Sequence, residues 1–418
     1  MSVLSPFQLI FQMFQRRNLS EIIKKNIGIL FCYPLYWISF LFPRKSNKWL
    51  VGSHVGFSGN PKYFFLYVCT NHPEKKCIWI ASNKKGAKKV SELGFPAFYR
   101  WSMKGLYHSL TAKTYIFGFH LIDVNFWTSG RVNRVNLWHG VGIKNIEFKS
   151  TIGSAGKIYD EKNIISRIFF PYLFKRPHLF LSTSPLMTEH FKQCFRITDK
   201  ECFEGIYPRC AIFGWKNNEI EEFIYNYEAK ESRELLMRLK KCRKSYLYMP
   251  TWRETRANFI VSAGFDFARL DAYLKQKNDL FLMKLHPESN ISVENMKEYV
   301  NIVLVDKQID IYPILPFTDV LITDYSSIYY DYLLMKDKQV LLFPFDYLEY
   351  VTQGRDLAFD FDKYTPGRRA YSFEELLQFI SDDNLLYFKE KEWVTKQFWD
   401  YQYSESDLYD KIVSLTKE

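Results

Sequence analysis

The sequence predicts an α/β fold made of two doubly wound, Rossmann-type domains that face each other across a cleft. Three observations point there. Beyond residue 45, short apolar runs alternate with longer amphipathic ones, as parallel strands with crossover helices require. A polar, charge-dense stretch near residues 215–243 divides that pattern into two halves. Finally, 418 residues correspond to two or three domains, at about 100–200 residues each.

The first segment differs from the rest. Residues 27–42, IGILFCYPLYWISFLF, carry no charge. As a helix they would reach about 24 Å, short of the ~30 Å hydrocarbon core of a bilayer, and Pro34 interrupts them. Arg16, Arg17, Lys24, Lys25, Arg44, Lys45 and Lys48 flank the run against the lone acid Glu21. Residues 1–50 thus hold six of the chain's eleven net positive charges. Such a segment suits the interface of an anionic cytoplasmic leaflet, at about 1 kcal/mol per well-placed base. A helical hairpin packed on the protein body is the alternative. No signal peptide is visible, because no small-residue cleavage site ends residues 1–26. Residues 1–45 are therefore expected to form a membrane-associating helical segment, with the protein peripheral to the cytoplasmic face of the membrane.

The first half, 46–210, has strand-like apolar runs at 49–53, 77–81, 114–119, 135–138 and 179–183, with helices such as 61–70 and 185–195 between them. Residues 211–243 read as a linker plus a surface helix. In the second half, 244–395, strands are expected at 246–249, 281–285, 302–305, 320–323 and 340–343, and helices at 266–277 and 327–335. Residues 396–418 read as a C-terminal helix.

Composition removes several function classes. Hydrophobic residues at 47% and charged residues at 25% exclude disorder and collagen-like repeats. Seven cysteines without a C-x-x-C pair argue against a zinc site or disulfide framework and for a reducing compartment. The basic balance alone would suit a nucleic-acid binder. Over half of it lies in residues 1–50, however, and no aromatic-basic platform motif accompanies it. No Asp-x-Asp motif is evident near the expected cleft, so no tightly bound metal or cofactor is expected, although Mg²⁺ can accompany a phosphate donor.

The unusual residues gather where the expected strands end, which is where doubly wound sheets bind ligands. Run 135–138 leads into His139-Gly140-Val141-Gly142, and run 246–249 into Pro250-Thr251-Trp252-Arg253. Run 281–285 contains Lys284 and ends at His286-Pro287. Run 320–323 leads into Asp324-Tyr325-Ser326-Ser327, which opens a helix, with Asp331 four residues on. Serines at a helix start can cap it; the same N–H groups can also hold a phosphate. His139 is suited to taking a proton from an alcohol, or to a structural bond with a backbone carbonyl. Asp331 could accept hydroxyls of a ribose or polyol, or be solvated.

These motifs resemble the CDP-glycerol glycerophosphotransferase family of teichoic acid and capsule-polymer synthesis. The resemblance is carried by Gly59-Asn60-Pro61-Lys62-Tyr63, Leu137-Trp138-His139-Gly140, Tyr207-Pro208-Arg209, Met249-Pro250-Thr251-Trp252-Arg253, Lys284-Leu285-His286-Pro287 and Thr323-Asp324-Tyr325-Ser326-Ser327. It implies a GT-B-like fold and transfer of glycerol phosphate from CDP-glycerol to a hydroxyl of a polymer or lipid-linked glycan acceptor, with release of CMP. Some relatives use CDP-ribitol. It further implies His139 as general base and His286 as a second catalytic group at the phosphates. Lys284, Ser326, Ser327 and Asp331 match donor-binding positions, and Gly140, Arg209, Thr251, Trp252 and Arg253 match further contacts. Where the family often has Thr-Pro-Leu-Lys after Gly140, this chain has Val141-Gly142-Ile143-Lys144. A GT-B glycosyltransferase using a nucleotide sugar is the enzyme alternative; a membrane-docked nucleotide sensor is the non-enzyme one.

Overall fold

The computed structural model describes residues 32–152, 156, 158–160, 162–251, 253, 259–285, 298–354, 356–382 and 388–417. Two parallel sheets organise them. The first contains β1 (Lys45–Gly52), β2 (Lys76–Ala81), β3 (Ala97–Tyr99), β4 (Ala112–Phe117), β5 (Asn133–Asn136), β6 (Leu179–Ser182) and β7 (Cys202–Glu204) in the order β3-β2-β1-β4-β5-β6-β7. The second contains β8 (Ser245–Tyr248), β9 (Leu280–Met283), β10 (Ile302–Leu304), β11 (Val320–Thr323), β12 (Gln339–Leu342) and β13 (Arg368–Arg369) in the order β10-β9-β8-β11-β12-β13. Each order reverses beside its first strand, which is the switch point where doubly wound sheets leave a crevice.

Strand sequences alternate between two packed faces. Leu50, Tyr115 and Phe117 join the core on the outer face of the first sheet, whereas Trp49, Val51 and Ile116 join the inner one. In the second sheet Tyr246, Tyr248, Phe281 and Met283 face outward, while Leu247 and Leu282 face inward. The inner core is continuous across both sheets. Coverage on both faces explains why central strands such as Leu280–Met283 and Val320–Thr323 read as continuous apolar runs rather than alternating with polar residues.

The structure extends two expectations and corrects a third. The stretch 211–243, expected as a linker plus a surface helix, carries two helices, Asn217–Tyr227 and Lys230–Leu239, which bury Ile220, Phe223, Ile224, Leu235, Leu236 and Leu239 in the inner core. Their charges occupy only the outward faces. The C-terminal segment 396–418 contains a helix as expected, Glu405–Leu415, and packs against the first half. Helix Lys391–Phe398 accepts hydrogen bonds from Thr183 Oγ1 and Ser184 Oγ at 2.7 Å each, through Phe398 O and Gln397 O. Helix Glu405–Leu415 ends where Asn133 Nδ2 donates to Leu415 O.

The third concerns the bases near the N-terminal run. Arg44 spends its guanidinium on the carbonyls of Ser39, Ser109 and Thr128. Lys48 is buried with Nζ on Thr111 Oγ1, and burial lowers its pKa to about 8. Neither is available to a membrane surface. Residues 1–31 of the expected membrane segment lie outside the described residues. Among those described, no helix is long and apolar enough to cross a membrane. All seven cysteines are free of disulfides.

Candidate active site

His139 is aimed by its own backbone. β5 ends at Asn136, whose Oδ1 accepts the Trp138 N–H at 2.8 Å. Trp138 then adopts a left-handed φ of 50°, a conformation that costs a bulky residue about 1–3 kcal/mol. Two clamps hold that strain. The Trp138 ring is buried against Phe119 and Phe195. Fully buried Asn60 donates to Leu137 O and Trp138 O at 3.0 and 2.9 Å, while its Oδ1 accepts the Arg209 N–H. The Gly-Asn-Pro motif thus serves the histidine turn from a different element, at the start of helix Gly59–Asn71.

The imidazole has a fixed tautomer. Its Nδ1 lies 3.2 Å from Gly118 O, and a carbonyl can only accept, so Nδ1 carries the proton and Nε2 keeps the lone pair. Gly118 is confined to glycine, since a Cβ there would lie 2.9 Å from Pro61 Cγ. Asp123, fully buried, pins the same turn by accepting the Gly118 and Phe119 N–H groups at 3.1 and 2.8 Å. Its other oxygen lies 3.2 Å from His54 Nδ1. Crowding by protein, with Arg209 and His54 nearby, lowers the His139 pKa to about 3. The ring's own exposure to solvent opposes that shift; both leave a neutral imidazole at pH 7.

The opposite wall begins at β11. Asp324 Oδ1 accepts the Thr251 N–H at 2.9 Å and the Tyr325 N–H, while Oδ2 pairs with Arg253. Arg253 also makes a forked pair with Asp346, at 2.9 and 2.8 Å. It is therefore built into the floor of the second half, where its guanidinium fixes the 251–253 turn. Lys284 is buried, donates to Asp306 O at 2.6 Å, and has its pKa lowered to about 8 by burial. Ser326 and Ser327 are half-buried at the start of helix Ile328–Leu333. Ser327 makes no side-chain cap, so its hydroxyl is not spent on its own helix. His286 and Trp252 lie outside the described residues.

The two walls meet. A Cβ on Gly140 would lie 3.1 Å from Ser327 Oγ, tight enough to displace that hydroxyl, and one on Gly142 would touch Ser327 Cβ at 3.7 Å, so the histidine loop packs directly against the serine turn. Arg209 crosses the gap beside them. Its Nη1 donates to His139 O at 2.8 Å and its Nη2 pairs with Asp331, which also accepts the Tyr312 hydroxyl. The guanidinium lies 4.3 Å over the Tyr312 ring. Burial pushes the Asp331 carboxyl up while Arg209 and Tyr312 pull it down. The neighbouring Asp331 raises the Arg209 pKa above its ordinary value despite burial. Asp331 Oδ1 is buried without a hydrogen-bond partner. A second crossing joins Lys62 to Glu228 and, at 2.9 Å, to Asp310.

Among the expected site residues, His139, Gly140, Arg209, Ser327 and Asp331 converge directly, with Ser326 one residue away. Thr251 and Arg253 support the serine turn from beneath. Asp123, His54, Gly118, Tyr312 and Asp346 were not anticipated. Asp123 had one legible signal, an acid in the otherwise apolar stretch that follows β4.

Two doubly wound sheets closed over a crevice, with a histidine turn on one and a serine turn on the other, define a GT-B-like class of protein. The chain belongs to the CDP-glycerol:poly(glycerophosphate) glycerophosphotransferase family, matching it over residues 34–415. It is 26% identical over 377 residues to the teichoic acid poly(glycerol phosphate) polymerase of Bacillus subtilis (strain 168), spanning 83% of this chain and 45% of that protein. It is 25% identical over 359 residues to the teichoic acid glycerol-phosphate transferase of Staphylococcus aureus (strain NCTC 8325 / PS 47), spanning 82% of this chain and 86% of that one. Teichoic acid ribitol-phosphate polymerases are further relatives. A solved structure of the wall teichoic acid polymerase TagF shares the fold, with a TM-score of 0.73, 18% identity, and coverage of 96% of this chain and 98% of that one.

Proposed function

We propose that this protein transfers glycerol phosphate from CDP-glycerol to a hydroxyl of a teichoic-acid-like or capsular polymer, releasing CMP, with His139 as general base. The observation that carries the reading is the approach of the His139-Gly140 loop to Ser327, joined by the Arg209–Asp331 pair. His139 Nε2 takes the proton of the acceptor hydroxyl as its oxygen attacks the glycerol-bearing phosphorus. The bond from that phosphorus to the CMP oxygen breaks, and CMP leaves with the electron pair. Negative charge then builds on the leaving phosphate, where Lys284 and the N–H groups around Ser326 and Ser327 would meet it. A pKa of about 8 keeps Lys284 mostly cationic at pH 7. Closure of the two halves aligns base, hydroxyl and phosphorus. His286 and Trp252 complete the donor contacts in this proposal, and Asp331 offers its unpartnered oxygen to a donor hydroxyl. No tightly bound cofactor is part of it, and Mg²⁺ accompanying the diphosphate is compatible with it.

CDP-ribitol is the second donor to consider, because relatives named as ribitol-phosphate polymerases share the family. The test is CMP release by the purified full chain offered CDP-glycerol, CDP-ribitol or a UDP-sugar with a glycerol-phosphate-primed acceptor, with product masses measured. CMP and a product extended by one glycerol phosphate are expected. Turnover only with the UDP-sugar would replace this reading with a glycosyltransferase. Peripheral attachment to the cytoplasmic face of a membrane is supported by Trp37, Ile38 and Leu41, which are 67%, 48% and 81% exposed beside Lys45. Trp37→Ser/Leu41→Ser should weaken flotation with anionic vesicles, and unchanged flotation would remove that part.

A further inference from the structure

A pocket of about 220 Å³ opens in the first half beside His120, the neighbour of Phe119, whose ring lies 4.9 Å from that of His139. Its floor includes Phe117 and Asn136, the last residues of β4 and β5. These strand ends also carry Gly118 and the His139 turn. His120 lies at the floor, 3.1 Å from the Tyr159 hydroxyl and 3.5 Å from Glu147, with a pKa lowered by burial to about 3. Four cations stand around the mouth: Arg167, Lys175, Arg176 and Arg196. Glu147 faces His120, Glu201 stands near Arg176, and Asp123 lies 3.2 Å from His54.

The cations are positioned rather than scattered. Arg196 lies 4.1 Å over the Phe148 ring, Arg167 5.7 Å over Phe174 and Lys175 5.6 Å over Tyr36. Arg196 also sits in left-handed backbone, φ 53°, at the C-terminus of helix Pro185–Phe195, a position that favours glycine. A rim carrying several cations over a concave, aromatic-walled space suits an anionic ligand. Aromatic rings connect the pocket wall to the N-terminal helix that carries exposed Trp37. Tyr172 links the two, reaching Phe126 and His120, and Tyr36 stacks on Phe126 at 4.9 Å.

We propose that this pocket binds a glycerol-linked phosphodiester, the repeating anion of the acceptor, and so holds the acceptor chain behind the hydroxyl presented to His139. The inference rests on the transferase reading above and adds a subsite to it. A phosphatidylglycerol headgroup carries the same chemistry, so the test separates the two sources. Full-length protein and the triple variant Arg167→Gln/Lys175→Gln/Arg176→Gln, all exposed positions, are compared by circular dichroism and then in three assays.

With a water-soluble phosphodiester acceptor, the variant should raise the acceptor KM by about tenfold or more, while the CDP-glycerol KM stays within about twofold. Flotation with phosphatidylcholine vesicles containing phosphatidylglycerol should be unaltered. Loss of flotation with an unchanged acceptor KM would assign the phosphate to a lipid instead. The third assay is calorimetric titration with glycerophosphoglycerol, which needs no turnover. Binding by the wild type and not by the variant upholds the pocket even if CMP release fails and takes the transferase reading with it. Equal behaviour of both proteins in all three assays overturns the pocket.

Discussion

Arg209 and Arg253 look alike in isolation: each is buried, and each is bound to aspartate in a site beyond strand ends. Their partners differ in a way that separates scaffold from joint. Arg253 binds Asp324, Asp346 and Thr251 O, all in the second half, and so fixes one wall. Arg209 belongs to the first half, pairs with Asp331 of the second and holds the carbonyl of His139 itself. A buried ion pair is weak ground for claiming stability. A buried pair that spans the cleft and touches the histidine turn has a second use, the alignment of two walls that no continuous sheet connects.

Breaking that contrast should give the largest effect. Arg209→Ala strands Asp331 and is expected to cost about 3–5 kcal/mol in urea unfolding, with turnover lowered about a hundredfold or more. Pairing Arg209→Met with Asp331→Leu should restore stability without restoring turnover; recovery of both would reduce the pair to packing. Arg253→Ala strands two aspartates and should cost a similar amount of stability. In the protein that remains folded, however, turnover should fall less than in Arg209→Ala, and an equal loss would erase the distinction.

A smaller effect is expected at Asp123, which acts on His139 only through the Gly118 turn. Asp123→Asn should lower kcat about tenfold and leave the CDP-glycerol KM unchanged, in steady-state CMP release. The smallest effect concerns Lys284. Burial lowers its pKa to about 8, so its charge is present at pH 7 and lost as pH rises through 8. The CDP-glycerol KM should be flat below that pH and rise above it. Lys284→Arg, whose charge persists, should flatten the profile, and a rise unchanged in that variant would assign the titration elsewhere.

All ten expected strands are present, because strands buried on both faces are written as unbroken apolar runs. The structure adds β3, β7 and β13, short strands at sheet edges. Ala97-Phe98-Tyr99 and Arg368-Arg369 are too short for periodicity to register. The helices at 217–239 were hidden for another reason: their charges outnumber their buried Ile, Phe and Leu residues, so composition resembles a linker although spacing does not. At the site, strand-end motifs marked His139, Ser327 and Asp331, and the family resemblance marked Arg209. Their pairing across the cleft was not legible, since Arg209 and Asp331 are 122 residues apart. Arg44 and Lys48 mislead for the opposite reason. Beside an apolar run they read as surface bases, yet tertiary carbonyl and hydroxyl partners claim them.

The central claim is that His139 removes the acceptor proton at a donor held by the opposite wall. Single-turnover CMP release by His139→Gln at saturating CDP-glycerol, alongside the donor Kd, tests it most directly. The account predicts a rate about 10²–10⁴ lower with donor Kd unchanged. A rate within about threefold of the wild type, in a folded variant, would contradict it.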